Sequence, residues 1–303
     1  MGLRHVAVVV AVLGAAACAR GPQVTTIYRR GQLTTAVAVD DDGARVVAQT
    51  GLETIVTRAR RGRRLGGPAA EVAAVAARGG TLVTVGRDAI LRVFDRALAP
   101  RASYRLDAAG TAVALTDDGA LIITGAASGV VCLRRAVDGA LLQCLVAGGP
   151  VTALAACGAT LAVATGRAIE RYALPSLAPR GVLAAPALSV AFAPGCARLA
   201  AAGPDGHGAL VATIAPGRTY TWRDVPAPPA RVAPRAPITF VDADLLVVGW
   251  EGALYAADAR GGSSDPAPVP GRVRALASSA RELLVGAWST GPLDEPSLYG
   301  AAP

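Results

Sequence analysis

Two residue types are missing: the 303-residue chain contains no Lys and no Asn, so all 30 of its basic residues are Arg. Such an absence points to a genome of extreme GC content, whose codons favour Arg, Ala, Gly and Pro. The formal charge of +8 therefore says little about partners, and nucleic acid is not expected among them. Histidine is almost as scarce. Past the N-terminal segment only His207 remains, which excludes most histidine-based catalysis and any multi-histidine metal site. His207 lies in Gly203-Pro204-Asp205-Gly206-His207-Gly208 and reads as an exposed turn residue. Gly-x-Ser-x-Gly elbows, phosphate loops and zinc pairs are also missing. The hydrophobic fraction is 52%, much of it Ala and Val. Even so, beyond the first residues no run approaches the roughly 18 apolar residues of a spanning helix. These absences predict a water-soluble mature chain with no catalysis of its own, no cofactor and no metal.

The N-terminus reads as a targeting segment. Met1-Gly2-Leu3-Arg4-His5 is short and positive, Val6 to Ala17 is an apolar core too short to span, and Ala15-Ala16-Ala17 leads directly to Cys18. Small residues before a Cys at this position resemble the bacterial lipoprotein cleavage box. In that family the Cys becomes the lipid-bearing N-terminus, which implies a membrane anchor at Cys18. Ala15-x-Ala17 equally suits ordinary signal peptidase, and an uncleaved anchor is the third alternative. Residues 1–17 are thus expected to be a signal peptide, 18–23 a tether, and 24–303 a single domain in the cell envelope or secreted.

That domain is repetitive. A strand-like run ends in a turn, usually with Gly, and a second apolar run follows at once. Val37-Ala38-Val39-Asp40-Asp41-Asp42-Gly43 and Val113-Ala114-Leu115-Thr116-Asp117-Asp118-Gly119 are two copies. The turns fall at positions 43, 80, 119, 158, 195, about 243 and about 281, separated by 37, 39, 39, 37, 48 and 38 residues. Seven short-strand repeats of this length predict an all-β, seven-bladed β-propeller. In the second repeat the strands a to d are expected at 71–76, 81–85, 89–95 and 101–106. The Pro-rich stretch 225–237 reads as an enlarged loop of blade five, and 260–270 as a loop of blade six. The last repeat is short of a strand, with 273–280, 283–288 and 297–301 as its runs, while Val24 to Arg29 is an orphan strand ahead of the first. Pairing the two would remove both open sheet edges, so the N-terminal strand is expected to close blade seven. The Asp-rich turns lack the spacing of a calcium loop and read as turn formers.

Export implies an oxidising compartment, so the cysteines are disulfide candidates. Cys132 and Cys144 flank Asp138-Gly139 symmetrically, and a hairpin there sets them opposite one another. Cys157 and Cys196 stand beside the equivalent turn Gly of successive repeats, near one rim, at a separation that sequence leaves open. Burial as small apolar residues is the alternative for all four.

Residues 24–303 resemble bacterial WD-repeat propellers. The match is clearest in Val85-Gly86-Arg87-Asp88-Ala89-Ile90-Leu91-Arg92-Val93-Phe94-Asp95, which is similar to the family's Gly-x-Asp turn and Trp-Asp strand end, with Phe94 in place of Trp. The resemblance implies a structural role for Asp88, bonding backbone around its turn, and a protein partner bound by a monomeric scaffold. The quinoprotein-like propellers, including outer-membrane assembly lipoproteins, are the neighbouring alternative. Those tend to have eight blades and more Trp and Gln. A propeller dehydrogenase or lactonase is a third. The candidate binding residues are Arg87, Arg167, Trp250, Glu251 and Trp288, all placed at turns between strands b and c on one face near the mouth. Trp and Arg are enriched at binding hot spots; packing between blades is the competing reading for both Trp. Arg58, Arg60, Arg61, Arg63 and Arg64 crowd one hairpin of the first blade and read as a solvated loop, with an anionic partner as the alternative.

Overall fold

The computed structural model of the chain describes residues 7–12, 23–28, 34–40, 44–49, 53–58, 61–65, 71–203, 210–213, 222–224, 236–258, 267–279 and 282–288. Every regular element among them is a β-strand. The strands β1 (Ala7–Val12) and β2 (Gln23–Tyr28) come first. Five four-stranded antiparallel sheets follow in chain order. They are β3–β6 (Thr34–Val39, Arg45–Gln49, Glu53–Arg58, Arg61–Leu65), β7–β10 (Val72–Arg78, Thr81–Gly86, Ile90–Phe94, Pro100–Arg105) and β11–β14 (Gly110–Leu115, Leu121–Ala126, Val130–Arg135, Leu141–Val146). The last two are β15–β18 (Ala153–Cys157, Thr160–Ala164, Ile169–Ala173, Pro179–Leu183) and β19–β22 (Ser189–Phe192, Arg198–Ala202, Leu210–Thr213, Trp222–Asp224). The remaining strands are β23 (Ile238–Phe240), β24 (Leu245–Asp258), β25 (Ala267–Ser278) and β26 (Glu282–Trp288).

These last four join the first two in one six-stranded sheet of order β1-β2-β26-β25-β24-β23. Its long members each serve two neighbours. β24 pairs with β23 through Leu246–Val248 and with β25 through Glu251–Leu254, and β25 pairs onward with β26 from Arg272 to Ser278. Residues 267–270, expected to be loop, are therefore strand: Pro268 lies opposite Ala253. β2 lies against β26 in parallel, from Gln23↔Glu282 to Ile27↔Gly286, and β1 caps it from outside. The expected strand at 297–301 and the enlarged loop at 225–235 lie outside the described residues, as do His207, Cys18 and Arg60.

Successive sheets stack through their first strands. β3 packs on β7, β7 on β11, β11 on β15, β15 on β19, β19 on β23, β23 on β25, and β25 returns to β3. The core is divided accordingly into clusters, most of which bridge two consecutive sheets, while one lies within the six-stranded sheet. One joins Val83, Val85 and Leu91 to Val113, Leu115 and Ile122; another joins Ala162, Ala164 and Ile169 to Val190, Leu199 and Ala201. This is why the first and second strands of each repeat read as unbroken apolar runs: both faces are covered. Val83, Ile122, Ile123, Leu161 and Leu199 have no exposed surface at all. The outer strands are wet, and in β10 exposed residues alternate with half-buried ones.

Three glycines, in β12, β24 and β26, stand where another strand comes too close for a side chain. A Cβ on Gly125 would stand 2.5 Å from Val151 Cγ1, one on Gly249 2.5 Å from Val273 Cγ1, and one on Gly286 2.6 Å from Thr34 Cγ2. Val151 lies just ahead of β15, Val273 within β25 and Thr34 at the start of β3, so the backbone approach at these three glycines leaves no room for a side chain.

Candidate functional site

At or near the turns between first and second strands, each of the first six repeats is tied to the next. Asp40 accepts from the amides of Gly79 (3.2 Å) and Gly80 (2.9 Å). Arg78 donates through Nε to the Asp117 carbonyl (3.1 Å) and pairs with its carboxylate at 3.4 Å. Asp117 in turn accepts from the Gly158 amide at 2.7 Å. The next link is covalent, a disulfide between Cys157 and Cys196, 39 residues apart. Arg198 then bonds the Ala243 carbonyl and the Asp244 carboxylate, and Thr239 shares a hydrogen bond with Ser278 at 2.8 Å. One face is thus latched repeat to repeat, using about one repeat of separation at each step.

These contacts settle the chemistry of the acidic turns. Asp118 Oδ1 accepts from Thr116 Oγ1 at 2.6 Å and from the Ala120 amide at 2.9 Å, and both bonds hold the Asp118 carboxyl below the usual carboxylate range. The Asp117 carboxylate also lies close to both sulfurs of Cys157 and Cys196, with ligand atoms within 4.8 Å of one another. The sulfurs are bonded to each other and the carboxylate is held by Gly158 and Arg78, so the cluster works as a latch.

The opposite face carries the turns between second and third strands, where Arg87 and Arg167 of the candidate binding residues fall. Asp88 builds its turn by accepting from the Ile90 amide (3.2 Å) and pairing with Arg92 at 2.6 Å. That leaves Arg87 projecting, its side chain 73% exposed and only loosely paired with Glu71 at 3.7 Å. Arg167 is also exposed, in the turn of the fourth repeat, and no described group pairs with it. Trp250 and Glu251 lie within β24 and Trp288 ends β26; their side chains are outside the described part of the structure. Their backbones converge, because Arg272 stands opposite Glu251 on one side and Trp288 on the other.

Two further features were partly legible or not legible from sequence. Cys132 is bonded to Cys144 across β13 and β14, directly opposite in the ladder. Glu170 was not anticipated: its carboxylate accepts from the Gly148 amide of the preceding sheet at 2.8 Å and from the Tyr172 hydroxyl. Burial raises the Tyr172 phenol, reinforced by that carboxylate, so it stays a donor. The arginine hairpin of the first sheet is closed by Arg58 opposite Arg61.

No protein-family model matches the chain, and no curated protein matches it. Among solved structures it is similar to that of U3-55K, a WD40 β-propeller protein, with a TM-score of 0.70 at 15% identity. The match covers 84% of this chain and 87% of that one. The fold is a WD-repeat-like β-propeller.

Proposed function

We propose that this chain is an exported, lipid-anchored, seven-bladed propeller that binds another protein as a monomeric scaffold and has no catalysis of its own. The carrying observation is the closed circuit of first strands, from β3 through β23 to β25 and back to β3. It supports a count of seven and makes the turns of one face a continuous rim. β2 beside β26 supports closure by the N-terminal strand, in parallel rather than as the outer antiparallel strand of a regular blade. β1 is outermost in its sheet, so its removal with a cleaved signal peptide leaves the β2–β26 pairing intact.

Binding is assigned to the rim on chemistry. Arg87 and Arg167 present exposed cations at their turns, with Trp250 and Glu251 in β24 and Trp288 at the end of β26, and such residues anchor interfaces. Disulfides at Cys132–Cys144 and Cys157–Cys196 suit an oxidising compartment. Affinity capture from the membrane fraction, followed by mass spectrometry, tests the reading. A defined envelope protein recovered in stoichiometric amount is expected; recovery of nothing above background contradicts it. Metabolic labelling with palmitate tests the anchor: label is expected on wild type and lost in Cys18→Ala, and an unlabelled, soluble wild type refutes lipidation.

A further inference from the structure

The outer strand of a propeller sheet has one unpaired edge, and proteins blunt such edges with charge or proline. Four of the five four-stranded sheets do so. β6 carries Arg61, Arg63 and Arg64, β10 carries Pro100, Arg101 and Arg105, β18 carries Pro179 and Arg180, and β22 carries Arg223 and Asp224. β14 alone among them is Leu-Leu-Gln-Cys-Leu-Val, with neither charge nor proline. Three of its four aliphatic side chains are exposed, Leu141 by 54%, Leu142 by 43% and Val146 by 74%, while Leu145 packs against the core.

The edge is also held in place. The Cys132–Cys144 disulfide ties β14 to β13, with a Cα separation of 4.1 Å at that pair. Separation that short marks a pair without mutual backbone hydrogen bonds, so the N–H and C=O of Cys144 point away from β13, and those of Val146, two residues on, do the same. Beside the start of β14 lies a depression of about 310 Å³, lined by Val93, Ala102, Tyr104, Val137 and the turn Asp138-Gly139, with Arg101 at its wall. Arg101 is exposed and has no ion-pair partner among the described residues, whereas Asp138 is already paired with Arg135.

We propose that β14 is a second docking surface, which takes an extended segment of a partner protein as an added antiparallel strand. The segment is apolar at alternate positions and acidic at its C-terminal end. Antiparallel addition brings that end to Leu141, where the depression receives its last side chain and Arg101 its carboxylate. Fixing the edge by a disulfide lowers the ordering cost of binding. The surface is separate from the rim, so the two assignments fail separately.

The probe is a fluorescein-labelled peptide alternating valine and threonine and ending in glutamates, with a lysine-ended twin, followed by anisotropy on the full chain. Saturable binding of the glutamate-ended peptide is expected, weakened more than about tenfold in Leu141→Arg/Val146→Arg. Arg101→Glu should reverse the preference between the twins. The Arg87→Glu/Arg167→Glu variant should bind the peptide as wild type does. Equal binding to wild type and the edge variant, or no saturable binding at all, overturns the proposal. Self-association of wild type that disappears in the edge variant assigns the strand to a second copy instead and overturns it too.

Discussion

Asp117 accepts a hydrogen bond from the Gly158 amide at 2.7 Å, joining a turn of one sheet to the equivalent turn of the next. The same relation recurs one step away, where Cys157 and Cys196 make it covalent. A β-sheet stabilises itself along its strands, but a ring of sheets needs contacts between them. Side chains at a repeat-length separation supply these here.

Asp117→Ala removes one such contact together with the Arg78 pair. The Gly158 amide is left unpaired, and the exposed ion pair adds little, so a loss of about 1–2 kcal/mol in unfolding free energy is expected. Asp40→Ala leaves two amides unpaired, at Gly79 and Gly80, and should cost at least as much. Urea denaturation with unchanged slope measures both.

Loss of the inter-sheet disulfide should be larger. Cys157→Ser/Cys196→Ser opens a loop of 39 residues, for which the usual range is about 2–4 kcal/mol. Melting temperature under non-reducing conditions reads it, and a shift within error refutes a latching role for the bond.

Glycine at the sheet crossings is a steric demand. Gly125→Ala places a methyl group against Val151 and should cost about 1–3 kcal/mol through overpacking. The double change Gly125→Ala/Val151→Ala should recover part of that, which a general loss of backbone freedom at Gly125 would not allow.

Acid should loosen the turn of the third repeat. The carboxyl of Asp118 titrates below its unfolded value because the Thr116 hydroxyl, then the Ala120 amide, bind the charged form. Its stabilisation is therefore complete above the unfolded aspartate pKa of ~3.9 and is lost as pH falls through the lower folded value. Asp118→Asn should flatten the fall in stability over that acid range and leave neutral pH behaviour nearly unchanged, since the group is exposed.

The contrast between Asp118 and Asp117 shows what the sequence carried. A turn-forming role for the Asp-Asp-Gly stretch was legible, because Asx turns are local: Asp118 bonds residues two positions away on either side. The partners of Asp117 and Asp40 were not, since they lie 39 to 41 residues off and no local pattern names them. The strands of the second repeat fell within one or two residues of their expected places, as apolar runs bounded by Gly turns allow. At the six-stranded sheet, the strand from 267 was missed because Pro268 and Pro270 read as loop; an interrupted ladder with few backbone donors accommodates them.

Deleting residues 19–32 removes β2 and exposes the edge of β26. It should lower stability by several kcal/mol and promote self-association. Size-exclusion chromatography beside thermal melting records both effects. A monomer of wild-type stability contradicts closure through that strand.

The scaffold reading turns on the rim, and Arg87→Glu/Arg167→Glu tests it most directly, because both side chains are exposed and neither is packed in the core. Charge reversal there should leave the melting temperature within a few degrees of wild type. Capture of the partner from the membrane fraction should fall by more than about tenfold, since interface anchors contribute about 2 kcal/mol or more each. Undiminished capture by a folded double variant would contradict the account and remove the rim as the binding surface.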